Sequence, residues 1–95
     1  MIERHITFAV RPDRTGDFER FFADEYRPAM AGTPGFLRAE LLREADSDTR
    51  YQMVLRFADA EGSAAWRNSD VHRSLQPSLE ALHTGMEIQG YEVVS

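Results

Sequence analysis

Residues 36–58, FLRAELLREADSDTRYQMVLRFA, decide the fold. Segments 36–44 and 50–58 have the alternating apolar pattern of β-strands, and the polar loop ADSDT at 45–49 joins them. The second strand has apolar side chains on both faces: Tyr51, Met53, Leu55 and Phe57 on one, Val54 and Ala58 on the other. The stretch therefore predicts a β-hairpin in a sheet that needs a cover on each face.

A strand and a helix precede this hairpin. RHITFAV at 4–10 alternates like a half-buried strand. Apolar residues at a 3.6-residue period then predict one helix over 16–31, with Thr15 as its N-cap and a bend at Pro28. The segment GTPGF at 32–36 has the composition of a turn.

Two further helices are predicted after the hairpin. The first is short and covers 59–67, with an aspartate cap at its start. Ser69 or Asp70 caps the second, which the apolar period extends to about Met86, with a kink or restart at Pro77.

The segment EIQGYEVV at 87–94 is the last predicted strand and completes the order β-α-β-β-α-β. This order is that of an α+β, ferredoxin-like fold, a four-stranded antiparallel sheet with helices on one face. The length allows a single domain over residues 1–95. Since the helices cover only one face, a second copy of the chain in a homodimer is the simplest cover for the other.

Composition excludes several functions. The net charge is −5 and no basic run occurs, which argues against nucleic acid and anionic membranes as partners. There is no Cys and no Lys, so thiol nucleophiles, thiolate metal sites and lysine Schiff bases are excluded. No leader or membrane span is evident, so we expect a cytoplasmic protein. The use of Arg alone favours a GC-rich bacterial source.

Two histidines and a glutamine fall on one edge of an apolar stripe when residues 70–86 are placed on a helical wheel. They are His72, Gln76 and His83. Such an edge borders a cleft, where a histidine can act as a catalytic base. The alternative is that these side chains lie at a half-exposed boundary of the helix, which amphipathic side chains tolerate without any function.

Other residues are candidates for the walls of a pocket. Trp66 is either a core residue or a wall against a flat aromatic ligand, and Phe22 and Met86 suit the same role. Asn68 either caps the following helix or donates a hydrogen bond into the pocket. Glu25 falls on the apolar face of the first predicted helix. It is either a base whose pKa is raised by burial or the salt-bridge partner of an arginine.

Known cofactor signatures are missing: the sequence has no GxGxxG, no P-loop and no HExxH. His72 and His83 lie about three turns apart on the predicted helix, too far for one metal ion. An enzyme would therefore work without a cofactor or use a ligand such as haem.

The segments RPDRTGDFERFF, TPGFLRAELLRE and YQMVLRFADAEGSAAWRNSDVHRSL, with the final YEVV, resemble the antibiotic biosynthesis monooxygenase (ABM) family of dimeric α+β barrels. The proline-glycine-phenylalanine turn and the spacing of Trp66, Ser69 and His72 are the most specific parts. The resemblance implies a homodimer with a pocket in each subunit between sheet and helices.

The resemblance also implies alternative activities. Cofactor-free members oxidise anthrone- or quinol-type polyphenols with O₂. Haem-degrading members have a Trp at the Trp66 position, an Asn on the first strand and a His one turn beyond His72. Here Gln76 takes the place of that His and His5 that of the Asn, which counts against haem. A dimer that binds a small ligand without catalysis is the third alternative.

The cofactor-free reaction is physically coherent. Triplet O₂ reacts slowly with closed-shell molecules, but an electron-rich phenolate can donate an electron to it directly. The protein then needs a base near neutral pKa and a dry aromatic pocket. We predict His72 as the base, His83 as the second choice and Trp66 as a wall, with Phe22, Glu25, Asn68, Gln76 and Met86 around the substrate.

Overall fold

The computed structural model describes residues 1–95 and contains four strands. They are β1, Ile2–Val10; β2, Phe36–Arg43; β3, Arg50–Phe57; and β4, His83–Glu92. All neighbouring strands are antiparallel, and the sheet order is β2-β3-β1-β4. The predicted ferredoxin-like α+β fold is therefore confirmed.

Four α-helices connect the strands: α1, Thr15–Phe21; α2, Arg27–Ala31; α3, Ala60–Arg67; and α4, Asp70–Glu80. Thr15, predicted as an N-cap, is the first residue of α1, and Arg14 takes the capping position. The helices pack on the sheet face that presents Ile6, Phe8 and Met53 to a core of 16 buried residues. None of the helices has the length and apolar run that crossing a membrane requires.

The predicted helix over 16–31 is divided by a wider turn. A π-helical turn, Phe22–Tyr26, separates α1 from α2, and Pro28 lies in the first turn of α2. The wide turn accommodates a proline, which cannot donate a backbone hydrogen bond. Its extra residue rotates Tyr26 into the core and leaves Glu25 exposed. The prediction that Glu25 faces the core is wrong, because it assumed 3.6 residues per turn throughout.

Side chains cap the N-termini of both helices after the hairpin. Asp59 Oδ1 accepts a hydrogen bond from the Gly62 amide at 2.8 Å, and Ser69 Oγ accepts one from the His72 amide at 3.1 Å. These caps fix the two ends of a short connection between α3 and α4. α4 then continues through Pro77 without the predicted restart.

The end of α4 differs from the prediction. The helix ends at Glu80, whereas the apolar period extends to Met86. His83 and Met86 instead belong to β4, where both pair with β1. Pairing within the sheet outweighs the local helical pattern, as tertiary context commonly does. The prediction that His72 and His83 share a helix is therefore wrong.

The turn before β2 packs closely on the start of α3. Gly35 has a φ of 86°, a left-handed conformation that glycine adopts without strain. A Cβ added at Gly62 would lie 3.1 Å from the Pro34 carbonyl oxygen and 3.4 Å from the Gly35 Cα. This close approach holds α3 against the sheet and so fixes where its last turn lies.

The sheet face without helices is more polar than predicted. Glu3 accepts hydrogen bonds from Arg56 and lies 2.8 Å from His5 Nε2. Around this charged group lie Leu42 and Tyr91, both about half exposed, and the buried Val54. The face therefore combines a central ion-pair network with unpartnered apolar side chains.

Candidate active site

A cavity of about 170 Å³ lies between the β1 and β4 side of the sheet and the junction of α3 with α4. Its walls are mostly apolar, and Met86 and Ile88 of β4, both partly exposed, border its opening. Its polar members are few: Arg4, Tyr26, Trp66, Arg67, His72 and Gln76. An apolar cavity with a few convergent polar groups is the usual form of a small-molecule site.

Trp66 and His72 form one wall of this cavity. The Trp66 ring is 2% exposed, and its centroid lies 5.0 Å from that of His72 at 76° and 5.4 Å from that of Tyr26 at 90°. Ser69 brings the first two together, because its hydroxyl donates to the Trp66 carbonyl at 2.8 Å and accepts from the His72 amide. The cap of α4 therefore also positions two side chains of the cavity.

The imidazole of His72 is held by its neighbour one turn along α4. Gln76 Nε2 lies 3.1 Å from His72 Nε2. With the amide as donor, this contact selects the tautomer in which Nε2 carries the lone pair. Burial lowers the pKa of His72, the charges of Arg4 and Arg67 lower it further, and a backbone hydrogen bond to the Arg67 carbonyl opposes them. The ring is thus neutral at pH 7 and able to accept a proton.

Tyr26 supplies a hydroxyl in the same wall. Burial raises the pKa of this phenol, while a hydrogen bond with Trp66 and the charge of Arg4 act in the opposite direction. The phenol is therefore protonated at neutral pH and can donate a hydrogen bond. Tyr26 was not among the predicted site residues, because its place in the apolar period of the first predicted helix indicated a core residue.

Two arginines of the cavity were also missed. Arg4 precedes Ile6 and Phe8 on the inward face of β1, and Arg67 is the last residue of α3. The period-two pattern of the first strand would have placed Arg4 on the same face as Ile6. A charged residue on a buried face is uncommon enough to mark a candidate site.

Four of the eight predicted site residues line the cavity: Trp66, His72, Gln76 and Met86. The other four do not. Asn68 is exposed at the C-cap of α3, and no hydrogen bond of its side chain is present. Glu25 borders a wider solvent-exposed groove of about 510 Å³, between α1 and the end of α4, that is lined mainly by charged residues.

Phe22 and His83 lie outside the cavity. Phe22 is buried beneath the guanidinium of Arg27, which sits 5.2 Å from the ring centroid. His83 packs edge-on against Phe8, with ring centroids 5.1 Å apart. Its buried ring nitrogens make no hydrogen bond of good geometry and have only a looser contact with the backbone of Gly85. Burial lowers the pKa of His83. The helix end and the π-helical turn account for both errors of placement.

A haem does not fit these residues. A cavity of about 170 Å³ has room for one or two fused rings and is too small for a four-ring macrocycle. His72 is its only imidazole, and its Nε2 already contacts Gln76. A macrocycle would have to displace this contact and part of the core.

The ferredoxin-like sheet, with a pocket between the sheet and the helices, agrees with what the resemblance of the sequence implies. The chain belongs to the antibiotic biosynthesis monooxygenase (ABM) family, whose sequence profile matches residues 1–78. None of the curated proteins matches the chain in sequence.

Solved structures give the same fold. SnoaB, a cofactor-independent oxygenase from Streptomyces nogalater, is 26% identical in an asparagine-to-alanine variant, with a TM-score of 0.87 over 99% of this chain and 93% of that one. Proteins from Nitrosomonas europaea and Deinococcus radiodurans, both described as antibiotic biosynthesis monooxygenases, are 17% and 12% identical. Their TM-scores are 0.86 and 0.89, over 100% of this chain in each case and over 100% and 94% of theirs.

Proposed function

We propose that this protein is a cofactor-independent monooxygenase that oxidises an aromatic polyphenol of the anthrone or quinol type with O₂. The observation that carries the proposal is the neutral imidazole of His72, held by Gln76 inside an apolar cavity next to Trp66. The family membership and the likeness to SnoaB support the reaction class.

His72 acts as the general base in this proposal. A base works best when its unprotonated form dominates at the working pH and when it lies within hydrogen-bond reach of the proton. The lowered pKa of His72 meets the first condition. A substrate hydroxyl that takes the place of the Gln76 amide at Nε2 meets the second, because Nε2 carries the lone pair. Deprotonation gives an electron-rich phenolate that can react with O₂.

The residues of the cavity walls bind the substrate and exclude water. Trp66 and Met86 bind the flat ring system, and Tyr26 donates a hydrogen bond to an oxygen of the substrate. In an anthrone, the methylene carbon becomes a carbonyl. One atom of O₂ forms the new C=O bond, and the other leaves as water with the two hydrogens. Exclusion of bulk water protects the reactive intermediate.

The working unit in this proposal is a homodimer. The open sheet face carries Leu42, Val54 and Tyr91 next to the Glu3–Arg56 network, and such a face is suited to a second copy of itself. Small chains also gain core by association. The dimer places the two helix-side cavities on opposite outer faces of the paired sheets.

Oxygen uptake by metal-depleted protein tests the activity. We expect consumption of O₂ with an anthrone or a hydroquinone, formation of a quinone product that carries one atom of the O₂ with release of the other as water, and no effect of a chelator. His72→Gln should lower the rate by ~10²-fold. His83→Gln is the matched control, since its ring lies outside the cavity, and should retain the rate. Binding of the polyphenol without any uptake would instead assign the pocket to ligand sequestration.

A further inference from the structure

The charge of the cavity is opposite to that of the chain as a whole. The protein has 16 acidic and 11 basic residues, yet the cavity walls contain two arginines and no carboxylate. The two arginines enter from different elements, Arg4 from the sheet and Arg67 from the last residue of α3. A cavity in an acidic protein thus presents two cations to whatever occupies it.

Neither guanidinium has an ion-pair or hydrogen-bond partner within the protein. Seven of the other arginines form ion pairs with Asp or Glu, whereas Arg4 and Arg67 form none and donate no hydrogen bond. Burial and the charge of Arg67 lower the pKa of Arg4, so the two cations are close enough to repel each other. Arg67 is exposed and Arg4 is partly buried. Partial burial of an unpaired arginine such as Arg4 is uncommon, because desolvation of its charge is costly.

We propose that Arg4 and Arg67 form an anion subsite that binds an oxygen anion attached to the aromatic substrate, foremost a carboxylate. The inference rests on the proposed function, since it names the charge of the substrate at the same cavity. Guanidinium groups bind carboxylates through paired, charge-assisted hydrogen bonds. The anion relieves the repulsion between the two arginines, and the ring then lies between Trp66 and Met86.

The size of the cavity agrees with this arrangement. A cavity of about 170 Å³ holds one or two fused rings, and a larger ligand would extend past Met86 and Ile88 at the opening. The ionised phenolate formed during turnover is a second source of an oxygen anion. Both sources share the chemistry that the arginines recognise, and binding measurements separate them.

Calorimetric titration with three inert aromatic probes tests the subsite without turnover. The probes are naphthoate, its neutral amide naphthamide, and a nitronaphthol that is ionised at the pH of the assay. We expect naphthoate to bind at least ~10-fold more tightly than naphthamide, the usual worth of a hydrogen-bonded charge. Equally tight binding of the nitronaphtholate identifies any aromatic oxygen anion as the ligand, and weaker binding identifies a carboxylate.

Variants assign the effect to the two arginines. Arg4→Gln and Arg67→Gln should each weaken naphthoate binding by ~10-fold and leave naphthamide binding unchanged, which also shows that the variants are folded. Arg38→Gln is the matched control, because Arg38 lies on β2 and pairs with Glu40. Equal affinity for naphthoate and naphthamide, or no binding of either, would overturn the subsite. Its failure is distinct from failure of the proposed function, which oxygen uptake with a neutral hydroquinone measures separately.

Discussion

The imidazole of His72 and the indole of Trp66 lie 5.0 Å apart at a steep angle, although they belong to different helices. The hydroxyl of Ser69 maintains this relationship, since it bonds the Trp66 carbonyl and the His72 amide together. A helix cap, usually a stabilising device, here also sets the geometry of a candidate active site.

Ser69→Ala should therefore affect both stability and activity. Loss of the cap should lower the free energy of unfolding by ~1 kcal/mol, as for other N-caps. Turnover should fall further than this small loss explains, because His72 is no longer held at its place beside Trp66. Denaturant unfolding and steady-state kinetics on the same sample check this. Asp59→Ala, which removes the cap of α3, is the control, and an equal effect of both variants on kcat would contradict a positioning role for Ser69.

Trp66 should contribute more to binding than to chemistry. Trp66→Phe keeps an aromatic wall but loses area and the indole N–H next to Tyr26, so KM should rise more than kcat falls. Trp66→Ala removes a fully buried side chain and should cost ~3–5 kcal/mol of stability. Steady-state kinetics of the Phe variant and urea unfolding of the Ala variant measure the two effects. A KM unchanged in Trp66→Phe would show that the ring serves only the core.

His83 should make stability depend on pH. Burial lowers its pKa in the folded chain below the usual 6.5, so the unfolded chain binds the proton at a higher pH than the folded one. Stability should therefore fall as the pH drops from about 6.5 through the folded pKa. His83→Leu should flatten this dependence and, since it removes two unpartnered nitrogens, cost little at pH 7. Only the slope due to His72 should remain.

Thermal unfolding between pH 5 and 7 measures the effect, a range in which the carboxylates with lowered pKa, Glu3 and Asp17, stay ionised. Glu80 and Arg11, the charged groups that act on His83, work in opposite directions on its pKa. An unchanged slope in His83→Leu would contradict the assignment.

The open sheet face should hold a dimer. Light scattering at micromolar concentration should give about twice the chain mass of 10.9 kDa. Leu42→Glu should shift the protein toward monomer, because a charge replaces an apolar contact. Val71→Glu is the matched control on α4, since Val71 is 49% exposed against 47% for Leu42. A well-folded wild-type monomer would remove the dimer from the account.

Much of the fold could be predicted because local patterns in the sequence indicate its strands and helices. The hairpin over 36–58 and the strand at 4–10 follow from alternation, which neighbouring strands in a sheet reinforce. The errors fall where tertiary contacts outweigh local ones. The π-helical turn at Phe22–Tyr26 changes which side chains of the helix face the core, and pairing with β1 places His83 in a strand.

The candidate site divides in the same way. His72 and Gln76 were found because both lie on one regular helix, where a wheel is accurate. Tyr26 was not chosen as a site residue because its place in the apolar period of the first predicted helix indicated a core residue. Arg4 was missed although the period-two pattern places it on the same face of β1 as Ile6. Arg67 was missed because no pattern in the sequence shows which side chains surround the end of α3.

The pH dependence of kcat/KM for polyphenol oxidation, in wild type and in His72→Gln, tests the central claim most directly. We expect the wild-type rate to be constant at neutral pH and to fall as the pH drops through the lowered pKa of His72, below about 6.5, because protonation removes the base. We expect His72→Gln to be folded, slower by ~10²-fold and without that acid limb. A His72→Gln enzyme with the wild-type rate and the same acid limb would contradict the central claim.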